Sequence, residues 1–239
     1  MGVERIVYGD DVQLARTVAG LWLDRVVEAK TRGGPHRVAL AGGRITRRFL
    51  AEVALQARER GVDLSGVDFF WGDERCVPPT DPESNHRLAE EALFGPLGLG
   101  GGRIHRVLGE LDSASGAALA EREMRRVTGV EGVVLPVLDV VFLGMGEDGH
   151  VASLFPGAPD EVTGHGGVYV PVIGPKPPPR RVSLTYGMIA AAREVWVLAC
   201  GAGKERALEE SLREGGATPL ARVLREREQT RIFTDIRLG

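Results

Sequence analysis

The chain has 239 residues, 43% of them hydrophobic and 26% charged, with a formal net charge of −3. That length suits one α/β domain spanning residues 1–239 with a full core. The mild negative balance excludes a global basic field for nucleic acid or anionic lipid, so any anionic ligand must be held by a local cluster.

Apolar runs alternate with helix-period segments. A strand-like run at Arg5–Tyr8 precedes a helix over Asp10–Thr31, whose Leu14, Val18, Trp22 and Val26 share one side. Val38–Ala41 reads as a strand, and Thr46–Arg60 as a helix carrying Phe49, Leu50, Val53, Ala54 and Ala57. The strand Val67–Trp71 is followed by helical segments at Ser84–Phe94 and Ser113–Thr128. Strands are predicted at Leu138–Leu143, Val168–Val172 and Val195–Ala199, then a helix at Gly203–Arg213 and a last strand at Arg231–Phe233. The tract Pro175–Pro179 reads as a rigid loop rather than a linker. Several strands are apolar almost throughout, which suits a parallel sheet covered by helices on both faces.

Four strands end in polar turns: Gly42-Gly43-Arg44, Gly72-Asp73-Glu74-Arg75, Gly144–His150 and Cys200–Lys204. In open α/β sheets ligands bind beyond the carboxyl ends of the strands, so these turns should gather on one edge.

The stretch Leu138–Gly157, LDVVFLGMGEDGHVASLFPG, carries the most information. Gly144, Gly146 and Gly149 shape a turn that delivers Asp148 and His150. The turn matches GxGxxG, but Pro156 and Gly157 cut the segment short and no second strand with an acidic end follows in range, which argues against a dinucleotide site. A helix starting at His150 would disfavour imidazolium and suit the residue as a general base, with Asp148 orienting it or binding a ligand hydroxyl. Taken alone, the turn would read as a solvated Asp–His pair; following a buried strand, in the company of the other polar turns, it reads as functional.

Glycine at Gly42 and Gly43 lets backbone amides approach an anion before a helix N-terminus. Lys204 opens another helix, against the dipole, which a bound phosphate would offset. Arg181 is a further cation suited to phosphate. Arg75 is placed to stabilise a developing oxyanion, although Asp73-Glu74-Arg75 also reads as a surface ion-pair cluster. Ser84 and Asn85 read equally as helix caps and as ligand contacts. His36, His86, His105 and His165 show no metal spacing, and Cys76 and Cys200 make neither a disulfide framework nor a zinc motif. The charged start MGVERIVYGDD lacks the apolar core of a signal peptide, and no run approaches the ~18 apolar residues of a membrane span, so a cytoplasmic protein is expected.

Together these blocks resemble the 6-phosphogluconolactonase family. The likeness rests on Gly42-Gly43, Trp71–Arg75 with Ser84-Asn85, Gly144–Gly157, Pro177–Thr185 and Gly201–Lys204, in the family's order along nearly the whole chain. It implies a three-layer α/β/α, Rossmann-like fold of the kind shared with glucosamine-6-phosphate deaminase. It implies hydrolysis of 6-phospho-D-glucono-1,5-lactone to 6-phosphogluconate in the oxidative pentose phosphate pathway, by a monomer, with no metal or organic cofactor. By resemblance, His150, Asp148 and Arg75 are the catalytic residues. Gly42, Gly43, Arg44, Thr46, Asp73, Ser84, Asn85, Gly144, Gly146, Gly149, Arg181 and Lys204 bind the phosphorylated sugar lactone. The phosphate falls to the Gly42-Gly43 turn, Arg44, Arg181 and Lys204, and Ser153 as a nucleophile is the minor alternative.

The chain departs from the family in one place. Arg44-Ile45-Thr46 follows the first glycine pair, where a small hydroxyl residue and Thr-Pro are usual, so Arg44, Thr46 or backbone amides must take over that contact. The alternatives are a deaminase, whose block reads more like DGHIAFNEPG, and a non-catalytic sugar-phosphate sensor domain.

Overall fold

In the computed structural model, which describes residues 2–227 and 229–238, the chain opens β1 (Gly2–Val7), α1 (Asp11–Arg32), β2 (His36–Leu40), α2 (Arg44–Arg60), β3 (Val67–Trp71), β4 (Asp73–Arg75). Next come α3 (Asn85–Ala89), a π-helical turn (Glu90–Phe94), α4 (Gly95–Leu97), α5 (Ser113–Thr128), β5 (Val140–Gly144) and α6 (Asp160–Thr163). The last part runs β6 (Tyr169–Ile173), β7 (Arg180–Leu184), α7 (Tyr186–Ala191), β8 (Glu194–Ala199), α8 (Glu205–Leu212), α9 (Pro219–Arg225), β9 (Gln229–Thr234).

Six strands form one sheet in the order β1-β9-β8-β5-β2-β3, and every pairing in it is parallel. β3 is buried throughout and β5 nearly so, as strands are when helices cover both sheet faces in a three-layer α/β/α arrangement. Phe142, in the central strand β5, anchors the core. Its ring lies 4.9 Å from Phe49, 5.8 Å from Trp22 and 5.7 Å from Trp196. Burying each such side chain stabilises the fold by roughly 2–3 kcal/mol. Helix α1 packs on α2, and α7 and α8 each pack on α9. Among the described residues, no helix is long and apolar enough to cross a membrane.

A second, antiparallel sheet, β4-β7-β6, stands beside the first. It takes in the predicted strand at Val168–Val172 and two strands that the apolar pattern does not reveal. β4 has only three residues, all charged, and β7 carries Arg180 and the buried Arg181. An inward-facing arginine erases the alternation that marks a half-buried strand. The Pro-rich tract is the β6–β7 connection, closed by Gly174 N donating to Pro179 O at 2.7 Å. The helix expected over Ser84–Phe94 is only α-helical to Ala89 before it widens into the π turn. Helices α7 and α9 are too short for their periodicity to show, although Thr185 and Thr218 cap them at 3.1 and 3.0 Å.

Candidate active site

Because all six strands of the main sheet point the same way, their following turns meet at one edge. The strand order reverses between β2 and β5, and a cavity of about 360 Å³ opens there. Of the residues singled out in the sequence, Gly42, Gly43, Arg44, Asp73, Arg75, Gly144, Gly146, His150, Arg181 and Lys204 line it. Thr46, Ser84, Asn85, Asp148 and Gly149 do not line it and act from behind the wall.

The turn after β5 is built around its histidine. Gly146 N donates to His150 O at 2.9 Å, and Asp148 Oδ1 accepts from His150 N at 3.2 Å and holds His150 Nδ1. A Cβ added to Gly146 would fall 2.1 Å from the His150 ring, so only glycine leaves room for the imidazole. Gly149 has φ 77°, and its carbonyl accepts from Leu220 N at 3.1 Å, which ties the turn to α9. Burial alone would raise the Asp148 carboxyl. The hydrogen bonds and charge of His150, with Lys176, outweigh it and hold the group below the usual carboxylate range. An ionised Asp148 on Nδ1 leaves Nε2 as the basic nitrogen. The expected helix start at His150 is absent: Val151 and Leu154 form an isolated bridge instead, so no helix dipole acts on the imidazole, and Asp148 orients it.

The small sheet supplies the opposite wall. Arg75 and Arg181 are paired across β4 and β7, with Asp73 Oδ2 3.9 Å from Arg75 Nε and 4.0 Å from Arg181 Nη1. The same oxygen accepts from Ser153 Oγ at 2.7 Å. Ser153 is fully buried and its hydroxyl bonds a carboxylate rather than an imidazole, which removes it as a nucleophile. Arg181, read from sequence as a phosphate cation, stands beside Arg75 on this wall. Much of its guanidinium is committed, with Nε to Pro178 O at 2.9 Å and Nη2 to Lys176 O at 3.3 Å.

Ser84 and Asn85 are buried behind the cavity wall and bonded within the protein. Glu74 accepts from the amides of Arg75, Asn85 and His86, each at 2.8 Å, and from Ser84 Oγ at 3.2 Å. Burial pushes its carboxyl up to about 7 against these donors. Ser84 also caps α3, and Asn85 Nδ2 donates to Asp73 O at 2.8 Å. Asn85 is pressed so close to Gly42 that an added Cβ there would lie 2.0 Å from its Oδ1.

The third wall is made of helix starts. Gly43, with φ 95°, is the N-cap of α2 and has no side chain to satisfy the first amides, which leaves them for an anion. Arg44 and Arg48 line the cavity, whereas Arg47 turns away to Glu91 at 2.8 Å. Thr46 does not replace the family's hydroxyl contact, because its Oγ1 donates to Gly42 O at 2.9 Å and the residue is fully buried. Lys204 stands at the N-cap of α8, one place before the first turn. Burial, and next Arg44, push its ammonium below the usual lysine value.

Residues 9–232 match the family model described as glucosamine-6-phosphate isomerases/6-phosphogluconolactonase. The chain belongs to this family. It is 36% identical over 217 residues to a 6-phosphogluconolactonase of Streptomyces coelicolor, covering 88% of this chain and 83% of that one. The solved 6-phosphogluconolactonase of Trypanosoma cruzi superposes with a TM-score of 0.85 at 27% identity, covering 98% and 96% of the two chains. A monomeric glucosamine-6-phosphate deaminase shares the fold at a TM-score of 0.80 but only 15% identity, over 98% and 97%.

The family fold also brings residues to the cavity that were not anticipated from sequence. Asp235, just past β9, lines it and accepts from Gly201 N at 3.0 Å, which holds the turn before Lys204. Asp11 lines it from the start of α1 and pairs with Arg48 at 3.3 Å. Both follow predicted strands, so the strand-end rule applied to every strand finds them. Ala152 lines the cavity with φ 49°, the one non-glycine residue with positive φ among those described, at a strain of order 1 kcal/mol. Cys200 lines it too, but burial pushes its thiol up to about 12, so it is inert as a nucleophile near neutrality. Among the described residues, no three His, Cys, Asp or Glu side chains cluster as metal ligands.

Proposed function

We propose that this chain hydrolyses 6-phospho-D-glucono-1,5-lactone to 6-phosphogluconate, the lactone-opening step of the oxidative pentose phosphate pathway. One observation carries the reading. His150, held from behind by Asp148, lines the same cavity as the uncapped α2 N-terminus, Arg44 and Lys204. The 6-phosphate is gripped by the Gly42–Gly43 turn, Arg44 and Lys204, and Arg48 adds charge at the rim. Binding there turns remote contact energy into orientation of the ring over the Gly144–His150 turn.

Nε2 of His150 takes a proton from water as the water oxygen attacks C1. The carbonyl electrons move to the exocyclic oxygen, where Arg75 and the unspent donors of Arg181 stabilise the oxyanion. As the tetrahedral intermediate collapses, the C1–ring oxygen bond breaks and the protonated His150 returns its proton to that oxygen. An activated ester needs less assistance than an amide, so neither a covalent nucleophile nor a Lewis acid is invoked. Two free thiols, Cys76 and Cys200, suit a reducing cytoplasm.

The test is rapid proton release from freshly made 6-phosphogluconolactone, run beside ammonia release from glucosamine 6-phosphate. Proton release above the spontaneous rate without ammonia is expected. Ammonia release would make the chain a deaminase, and tight binding of 6-phosphogluconate with neither turnover would make it a sensor.

A further inference from the structure

The β6–β7 loop, residues 174–179, rests on the catalytic turn. A Cβ added to Gly174 would lie 2.7 Å from Phe155 Cε2, and the Phe155 ring is 4.7 Å from that of His150. Arg181 anchors the loop backbone from below through the carbonyls of Pro178 and Lys176. Between those anchors the Lys176 side chain is half exposed, and its Nζ sits 3.5 Å from Asp148 Oδ2. The other oxygen, Oδ1, holds His150 Nδ1. Ammonium, carboxylate and imidazole therefore stand in a row, contributed by two separate segments of the chain.

We propose that Lys176 is a positioning residue for the lactone reaction: it clamps the outer oxygen of Asp148, so that the carboxylate stays aligned on His150. The inference rests on the lactonase reading. Asp148 lies on a glycine-rich turn, its side chain is a third exposed, and both of its hydrogen bonds, from His150 N and with His150 Nδ1, fall on Oδ1, so the group is free to swing about that oxygen. A second contact on the far oxygen removes that freedom. The charged groups acting on Asp148 are His150 from its own turn and Lys176 from the loop. Glu147 lies instead against Gly203, and Arg181 is committed to the loop carbonyls and Ser153. A partly exposed ion pair of this kind contributes little to folding stability, so its effect should appear in catalysis.

The experiment compares wild type, Lys176→Met and Lys176→Arg on freshly made 6-phosphogluconolactone across the acid range. For Lys176→Met, kcat should fall about 3- to 10-fold with KM almost unchanged. Losing the cation lets Asp148 protonate more readily, so the acid limb of kcat should move up by about 0.3–0.7 pH units, the scale of a partly exposed pair. Lys176→Arg should restore both. Added salt should move the wild-type limb toward that of Lys176→Met. A limb that coincides in wild type and Lys176→Met, or an arginine variant that behaves like the methionine one, would overturn the proposal. If wild type does not turn the lactone over, the lactonase reading has failed instead. The NMR titration of Asp148, with and without Lys176, then decides whether the clamp exists.

Discussion

The two sides of the cavity are made differently. On the small-sheet side Asp73, Glu74, Ser153 and Arg181 are buried, and each is held by neighbours fixed when the chain folds. On the helix-start side Gly43, Arg44 and Arg48 are exposed, and the first amides of α2 await a partner. One wall is pre-organised, and the other leaves backbone donors and exposed cations open to an anion. Preorganisation favours stabilising charge that exists only in a transition state, whereas exposed cations suit a phosphate that is charged throughout. On the proposed reading the cavity divides chemistry from grip, and the His150 turn lines the same cavity.

The largest effect should come from Gly146→Ala. Its methyl would occupy the position of the His150 ring, so the imidazole must leave Asp148. We expect kcat to fall about 100-fold or more, with a much smaller change in KM for the phosphorylated lactone. Steady-state kinetics beside a thermal melt separate this from unfolding. A folded variant with wild-type kcat would mean that the turn is not the reacting centre.

A smaller, substrate-dependent effect should follow from Lys204→Ala. Losing one charged hydrogen bond should raise KM for 6-phosphogluconolactone by about 10- to 150-fold. Unphosphorylated gluconolactone should be affected about 2-fold or less, because it lacks the group Lys204 holds. Equal losses on both substrates would place Lys204 in the chemistry and erase the division.

The same lysine should leave a mild pH signature. Burial lowers its proton affinity, so the cation is intact at neutrality and is lost on the alkaline side at a lower pH than for a free lysine. Affinity for 6-phosphogluconate, followed by calorimetry from about pH 7 to about 10, should therefore start to weaken below the ordinary lysine range. Lys204→Arg should flatten that decline, and a flat wild-type profile would count against a phosphate role.

Much of this was legible in the sequence because it follows from local rules. The alternation of apolar runs and one-faced helices foretold the parallel sheet, and strand ends foretold which turns meet. The roles of Thr46, Ser84, Asn85 and Arg181 were not legible. Each can bond either a ligand or the protein itself, and only three-dimensional neighbours decide. Thr46 spends its hydroxyl on Gly42 O, Ser84 spends its own on Glu74, and Asn85 spends its side-chain amide on Asp73. The helix expected at His150 failed for a related reason. A short polar turn can close on its own side chains, and here Asp148 closes the turn on the backbone N and Nδ1 of His150.

The most direct measurement is proton release from freshly made 6-phosphogluconolactone, followed by stopped flow for wild type and His150→Ala. General-base loss predicts that the variant is slower by about 10²- to 10⁴-fold, approaching the spontaneous rate, while it still binds 6-phosphogluconate. A His150→Ala protein that opens the lactone as fast as wild type would contradict the account.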